Sequence, residues 1–292
     1  MKKFKNLLNY ILILFIKLIQ KCPDRYLKKI INFCAYIVWH SDFFRKKVVL
    51  KNLEIAFPNL TKSERVDIAK GTYKKFLTYF ADMIKNIDIT KEELTNKVTI
   101  VGKNYLEDAL KSKKPIIFMT AHFGNWEFVP KVIGANYIPL VVLMREFENN
   151  EIAAIFAKNR NSFNIETINK DNATKDIIKA IKDNKAIAIL IDQHSSSPKS
   201  IEVNFFNKRV KFNRGISVLA KKFNALIVPM FSYQINNQYI LEFLEPKEFS
   251  NNDTIESFTQ WQASIIEDMI KKYPSEYYWF HKRFKNIKGI YN

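Results

Sequence analysis

Glycine and cysteine are scarce in this 292-residue chain, which holds six of the first and two of the second. So few glycines leave little room for a glycine-rich phosphate loop, and no segment reads as one. Cys22 and Cys34 stand apart with no Cys-x-x-Cys pair. That excludes a disulfide framework and a cysteine zinc site, and fits a reducing compartment. Acidic residues are also short: 29 Asp and Glu face 47 Lys and Arg, a net charge of +18. A field of that sign attracts anions, whether nucleic acid, an anionic leaflet or an acidic protein. Nucleic-acid binding would need a stacking platform or a recognition helix, and no such motif is present.

Long apolar runs are missing too. "LLNYILILFIKLI", residues 7–19, falls short of the ~20 residues that a bilayer-spanning helix needs. "QKCPDRYLKK" follows it, without the small residues of a signal-peptide cleavage site. The reading is a membrane-embedded or membrane-surface helix over residues 1–22, with basic flanks facing anionic lipid; the alternative is a buried core helix. A second apolar segment, "IINFCAYIVW", supports a membrane-proximal position.

What is present changes character near residue 95. Before it the chain reads as helical over residues 23–95. "TKSE" is a capping box of Thr61 and Glu64, followed by Val66, Ala69, Tyr73, Phe76, Leu77, Phe80 and Ile84 at helical spacing. After it come short apolar runs: "VTIVG", "KPIIFMTAH", "IPLVVLM", "KAIAILIDQ", "NALIVPMFSY" and "YILEFLE". Several have the unbroken apolarity of strands covered on both faces. Helical segments alternate with them, namely "NATKDIIKAIKDN", "RGISVLAKKFN" and "TIESFTQWQASIIEDMIKKYP". Residues 96–292 therefore form an α/β domain.

In such a sheet ligands bind beyond the carboxyl ends of the strands. "PIIFMTAH" delivers His122 to such an end, and "FGNWEF" turns through Gly124 with Asn125 as a helix cap. Glu127, in the first helical turn, can then face His122. A carboxylate on one ring nitrogen fixes the tautomer and leaves the other as a general base. Backbone N–H groups at the turn would meet an oxyanion or phosphate. Taken alone the pair is weak, since a His with an acid five residues on arises by chance in about a third of such chains.

The segment "AHFGNWE" resembles the His-x4-acid signature of the lysophospholipid and glycerol-phosphate acyltransferase superfamily. It is most similar to the lipid A late acyltransferases, the lauroyl/myristoyl transferases of Gram-negative inner membranes, where the acid is Glu. Further blocks keep that family's order. "MREFEN" supplies Arg145 and Asn149, Arg160 stands at a second Arg position, and "KAIKDNKAIAILIDQH" supplies Asp192. "EYYWFHKRFK" supplies Trp279, His281, Arg283, Phe284 and Lys285. The resemblance runs from about residue 45 to the C-terminus.

It implies a mixed central sheet flanked by helices, with a helical N-terminal region and a membrane anchor. It also implies O-acyl transfer from acyl carrier protein to a hydroxyacyl chain of an anionic lipid A precursor, of the Kdo-lipid IVA type, at the cytoplasmic face of the inner membrane. His122 would be the base, oriented by Glu127, with backbone N–H groups of Gly124–Asn125 on the oxyanion. Arg145, Asn149, Arg160, Asp192, His281 and Arg283 would contact substrate, with Arg283 and Lys285 available to anionic headgroups. No metal or organic cofactor is implied. The alternatives are a lysophospholipid or glycerol phosphate acceptor, or a non-catalytic basic protein that binds membrane surfaces. Two positions depart from the pattern. "DQHSSSP" puts His194 at a second acid, and "KFNRG" puts Arg214 where a hydroxyl is expected.

Overall fold

The computed structural model describes residues 14–41, 44–144, 163–169, 173–236 and 238–291. Helices come first: α1 over residues 14–21, then α2 (Asp24–His40), α3 (Lys46–Ala56), α4 (Lys62–Lys85) and α5 (Lys91–Asn96). The Thr61–Glu64 capping box starts α4 as its sequence requires, and Thr90 with Glu93 forms a second one at α5. Ala69, Tyr73 and Ile84 of the apolar stripe are buried, while Phe80 stays exposed.

The remainder is built on a seven-stranded sheet: β1 (Val98–Val101), β2 (Ile116–Thr120), β3 (Leu140–Met144), β4 (Ile165–Asn169), β5 (Ala186–Leu190), β8 (Leu226–Ile235) and β9 (Gln238–Phe243). Between these come α6 (Lys103–Lys111), α7 (Val129–Asn136), α8 (Thr174–Lys182), α9 (Gly215–Phe223) and, after the last strand, α10 (Ile255–Lys272). The strand order is β1-β9-β8-β2-β5-β3-β4. All neighbours are parallel except β8 and β9, whose short connection makes an antiparallel pair.

Both faces of the central strands are covered, which is why β2 is buried at every position. Ile117, Met119, Ile187 and Ile227 point to the side of α8, α9 and α10, while Ile116, Phe118, Ala186 and Val228 point to the side of α6 and α7. The sheet is mixed, flanked by helices and lies after a helical N-terminal region. Among the described residues no helix is long and apolar enough to cross a membrane, and residues 1–13 of the expected anchor lie outside them.

Three strands were not legible as such. β4 is a short edge strand of mixed polarity, and β6 (Ile201–Phe205) with β7 (Lys208–Phe212) forms a separate antiparallel hairpin. Its turn residues Phe206 and Asn207 both have positive φ, 50° and 56°. That is the backbone a two-residue hairpin turn demands, supplied here without the usual glycine.

The N-terminal helices share a core with the sheet. Trp39, Val49, Leu53 and Tyr73 pack in one cluster with Trp279, Phe280 and Phe284 of the C-terminal segment. Asn52 of α3 is the polar link. Its amide donates to the carbonyls of Trp279 and His281 at 2.7 and 2.8 Å, and its oxygen accepts from the Tyr291 hydroxyl. Replacing fully buried Asn52 by Leu strands these groups without partners, at a cost of about 3 kcal/mol. A denaturant-unfolding midpoint well below that of the wild type is expected, and an unchanged midpoint would show the link to be dispensable.

Candidate active site

His122 lies two residues past β2, on a loop fastened by backbone bonds to the C-terminal segment. The His122 carbonyl accepts from Tyr278 N–H at 2.9 Å, Phe123 bridges Tyr277, and Gly124 N–H donates to the Glu276 carbonyl at 2.9 Å. The two motifs "AHFGNWE" and "EYYWFHKRFK" are thus laid edge to edge. Gly124 has φ of 57°, and a Cβ built on it would lie 1.6 Å from the Ser232 carbonyl oxygen. Only glycine fits the loop at that position.

The imidazole is held at both nitrogens. Nδ1 lies 2.8 Å from Asp192 Oδ1, and the same oxygen accepts the His122 backbone N–H at 3.0 Å. Nε2 faces the Gln193 side-chain amide nitrogen at 3.2 Å. Trp126 and Tyr278 flank the ring with centroids at 5.4 and 6.0 Å. Burial alone would lower the pKa of His122, but the charge and hydrogen bond of Asp192, with the charge of Glu127, raise it overall. Burial would likewise raise the Asp192 carboxyl. The charge of His122 and its hydrogen bonds outweigh that and hold it below the usual range.

The expected orientation of His122 by Glu127 therefore needs correction, because the structure gives Nδ1 to Asp192. Glu127 precedes α7 in a turn, lines the same cavity and acts on the imidazole through its charge. Asp192 is not a substrate contact on the cavity wall. It is 1% exposed, and its charge bears on the buried Tyr277 hydroxyl, whose pKa is pushed up by burial and by Asp192.

Two further expectations change at this loop. The Gly124 N–H is committed to Glu276, so it is not an oxyanion donor. Asn125 does not cap α7, whose N-cap position is Phe128. Its buried amide instead donates to the Tyr239 hydroxyl at 3.0 Å, and that hydroxyl in turn donates to Asp82 of α4.

A cavity of about 980 Å³ opens in front of His122. Its wall combines Val142, Leu143, Ile165, Ala188, Ile189 and Met230 from the strands with polar Gln193, His194, Ser195 and His281. His281 Nε2 accepts the His194 backbone N–H at 3.1 Å, and burial pushes its pKa down to about 4, so the ring is neutral at pH 7. Lys131 reaches the Asn86 carbonyl at 2.6 Å and is pulled down to about 8 by burial, against the charges of Glu127 and Asp88.

Arg283 is not available to surface headgroups. It is fully buried, donates to the Lys211 carbonyl at 3.1 Å and lies 4.2 Å from the Phe212 ring centre. Lys285 remains exposed. Arg214, the departure from the expected hydroxyl, stands at the N-cap of α9 without a side-chain cap bond; Asn213 Oδ1 accepts the Gly215 N–H at 2.7 Å instead. Arg145, Asn149 and Arg160 lie outside the described residues. Gln193 and Tyr277 were not singled out in the sequence. The signal for Gln193 was its place beside Asp192 at a strand end, whereas nothing local marks Tyr277.

The chain matches the family model described as bacterial lipid A biosynthesis acyltransferase over residues 1–286. The lipid A biosynthesis lauroyltransferase of Escherichia coli (strain K12) is 22% identical over 244 residues, covering 82% of this chain and 79% of that protein. A lipid A biosynthesis acyltransferase of Haemophilus influenzae is 20% identical over 278 residues, covering 94% and 87% respectively. The lipid A biosynthesis palmitoleoyltransferase of Escherichia coli is 23% identical over 244 residues, covering 82% and 79%. Among solved structures, a 1-acyl-sn-glycerophosphate acyltransferase of Thermotoga maritima aligns with a TM-score of 0.41 at 10% identity, covering 84% of this chain and 96% of that one. With the family match running from the first residue through both motifs that meet around His122, this chain belongs to the bacterial lipid A biosynthesis acyltransferases and is an acyltransferase.

Proposed function

We propose that the protein transfers a fatty acyl chain from acyl carrier protein to a hydroxyacyl chain of a lipid A precursor, with His122 as general base. One observation carries this reading. His122, its Nδ1 tied to a buried carboxylate, lines a large cavity walled in part by apolar strand residues such as Val142, Leu143, Ala188 and Ile189. An acyl chain suits that wall, and a hydroxyl brought to Nε2 would displace the Gln193 amide. As its oxygen attacks the thioester carbonyl, the proton passes to Nε2. The C–O bond forms, the C–S bond breaks, and the imidazolium returns the proton to the departing thiolate. The net charge of +18 favours both partners, an acidic carrier protein and a phosphorylated lipid.

The place of reaction in this proposal is the membrane surface. Helix α2 buries Leu27, Ile31 and Trp39 but leaves Tyr26, Ile30, Phe33 and Ile37 exposed on its other side, Phe33 by 64%. The spacing i, i+4, i+7, i+11 makes these a single stripe. Exposed Lys17, Lys21, Arg25, Lys28 and Lys29 accompany it. An apolar stripe with basic neighbours is the surface an anionic leaflet binds. The full chain is expected to float with vesicles containing anionic lipid, and the combined changes I30D, F33D and I37D to weaken that binding. Equal flotation of the variant would remove α2 from the membrane contact.

For the reaction itself, detergent-solubilised protein is incubated with acyl–carrier protein and either a tetra-acylated lipid A precursor or lysophosphatidic acid. One added acyl chain on the lipid A precursor is expected by mass, with turnover at least ~10²-fold lower in His122→Ala. Acylation of lysophosphatidic acid alone would reassign the acceptor. Undiminished turnover in the His122 variant would overturn the mechanism.

A further inference from the structure

Strand register decides which carboxylate meets His122. In the β2–β5 pair Met119 lies opposite Ile189 and Thr120 opposite Leu190. Two residues further along both chains, His122 comes abreast of Asp192. A single Asp192 oxygen then takes the imidazole Nδ1 and the His122 backbone N–H together. These two contacts fix the side chain relative to its own main chain, so the ring cannot turn without breaking one of them.

An ionised carboxylate only accepts hydrogen bonds. Its partner Nδ1 must therefore carry the hydrogen, and in the neutral ring the lone pair is left on Nε2. The second contact is compatible with this: the Gln193 side-chain amide lies 3.2 Å from Nε2, where its NH₂ can donate to that lone pair. Asp192 is 1% exposed, so no bulk water competes for its oxygen.

We propose that Asp192, rather than the motif acid Glu127, is the positioning residue that fixes the tautomer of His122 and aims Nε2 into the cavity. Glu127 adds its negative charge to the same imidazole from the cavity wall. The use of this tautomer in catalysis rests on the reading of His122 as the base; the tautomer itself does not.

The test reads the ring nitrogens directly. Protein labelled with ¹⁵N-histidine is studied by NMR, and His122 is picked out from the four histidines by its loss in His122→Ala. Wild type is expected to show the Nδ1–H tautomer at alkaline pH, and Glu127→Gln to keep it. Asp192→Asn removes the anion that stabilises the imidazolium, so the His122 titration should move to lower pH, and further than in Glu127→Gln. An Nε2–H tautomer in wild type would overturn the proposal, as would a larger shift from Glu127→Gln than from Asp192→Asn. Should Asp192→Asn fail to fold, the wild-type tautomer and its persistence in Glu127→Gln still decide the matter. Because turnover is not measured, a negative result leaves the proposed acyl transfer standing.

Discussion

The contact between His122 and Asp192 joins residues 70 apart in the chain, and much of the molecule serves to bring them together. It exists because β2 and β5 are parallel neighbours in a fixed register. Parallel strands cannot be joined by a tight turn, so everything between them, including β3, β4, α7 and α8, acts as the crossover. The sheet is buried on both faces, and a slip of one residue would turn each strand's side chains toward the wrong cluster. Core packing therefore sets the register, and the register sets the distance between imidazole and carboxylate.

The outer elements secure the same loop from the other side. Backbone bonds zip residues 122–124 to residues 276–278, and the segment they belong to is held by Asn52 of α3. Glu276 accepts from the Tyr79 hydroxyl of α4 and pairs with Lys75 at 2.6 Å. Asn125 and Tyr239 connect the loop to Asp82, also on α4. The N-terminal helices, one of which carries the exposed apolar stripe, thus touch the loop of His122 through one layer of side chains. The parts proposed to meet a substrate and those proposed to meet a membrane belong to one packed unit.

Much of this was legible in the sequence. Unbroken runs such as "IIFMT" and "AIAIL" marked strands covered on both faces, and Thr61 with Glu64 marked a helix start, because each signal is local. His122 stands out in the sequence as a candidate because an apolar run ends there. Its partner was misassigned for a physical reason. Glu127 is near in sequence, whereas Asp192 is near only once β2 and β5 are known to be adjacent. Arg283 misled in the same way: a charged side chain in a basic C-terminal block looks solvated, and only the packed fold puts it against Phe212 and Phe205. The β6–β7 hairpin escaped because its turn uses Phe206 and Asn207 in place of glycine.

A base that accepts a proton through Nε2 works only in its neutral form, and its neighbours decide where that form is lost. Burial alone would hold His122 neutral to lower pH, but Asp192 and Glu127 outweigh it and raise its pKa. The most direct measurement is the pH dependence of kcat for acylation of the lipid A precursor. Activity should fall as pH drops through a single ionisation above the ordinary histidine value, roughly 6.5, and this limb should be the limit on the acid side. A rate that stays level well below that pH, or rises as His122 becomes protonated, would contradict a neutral His122 acting as the base.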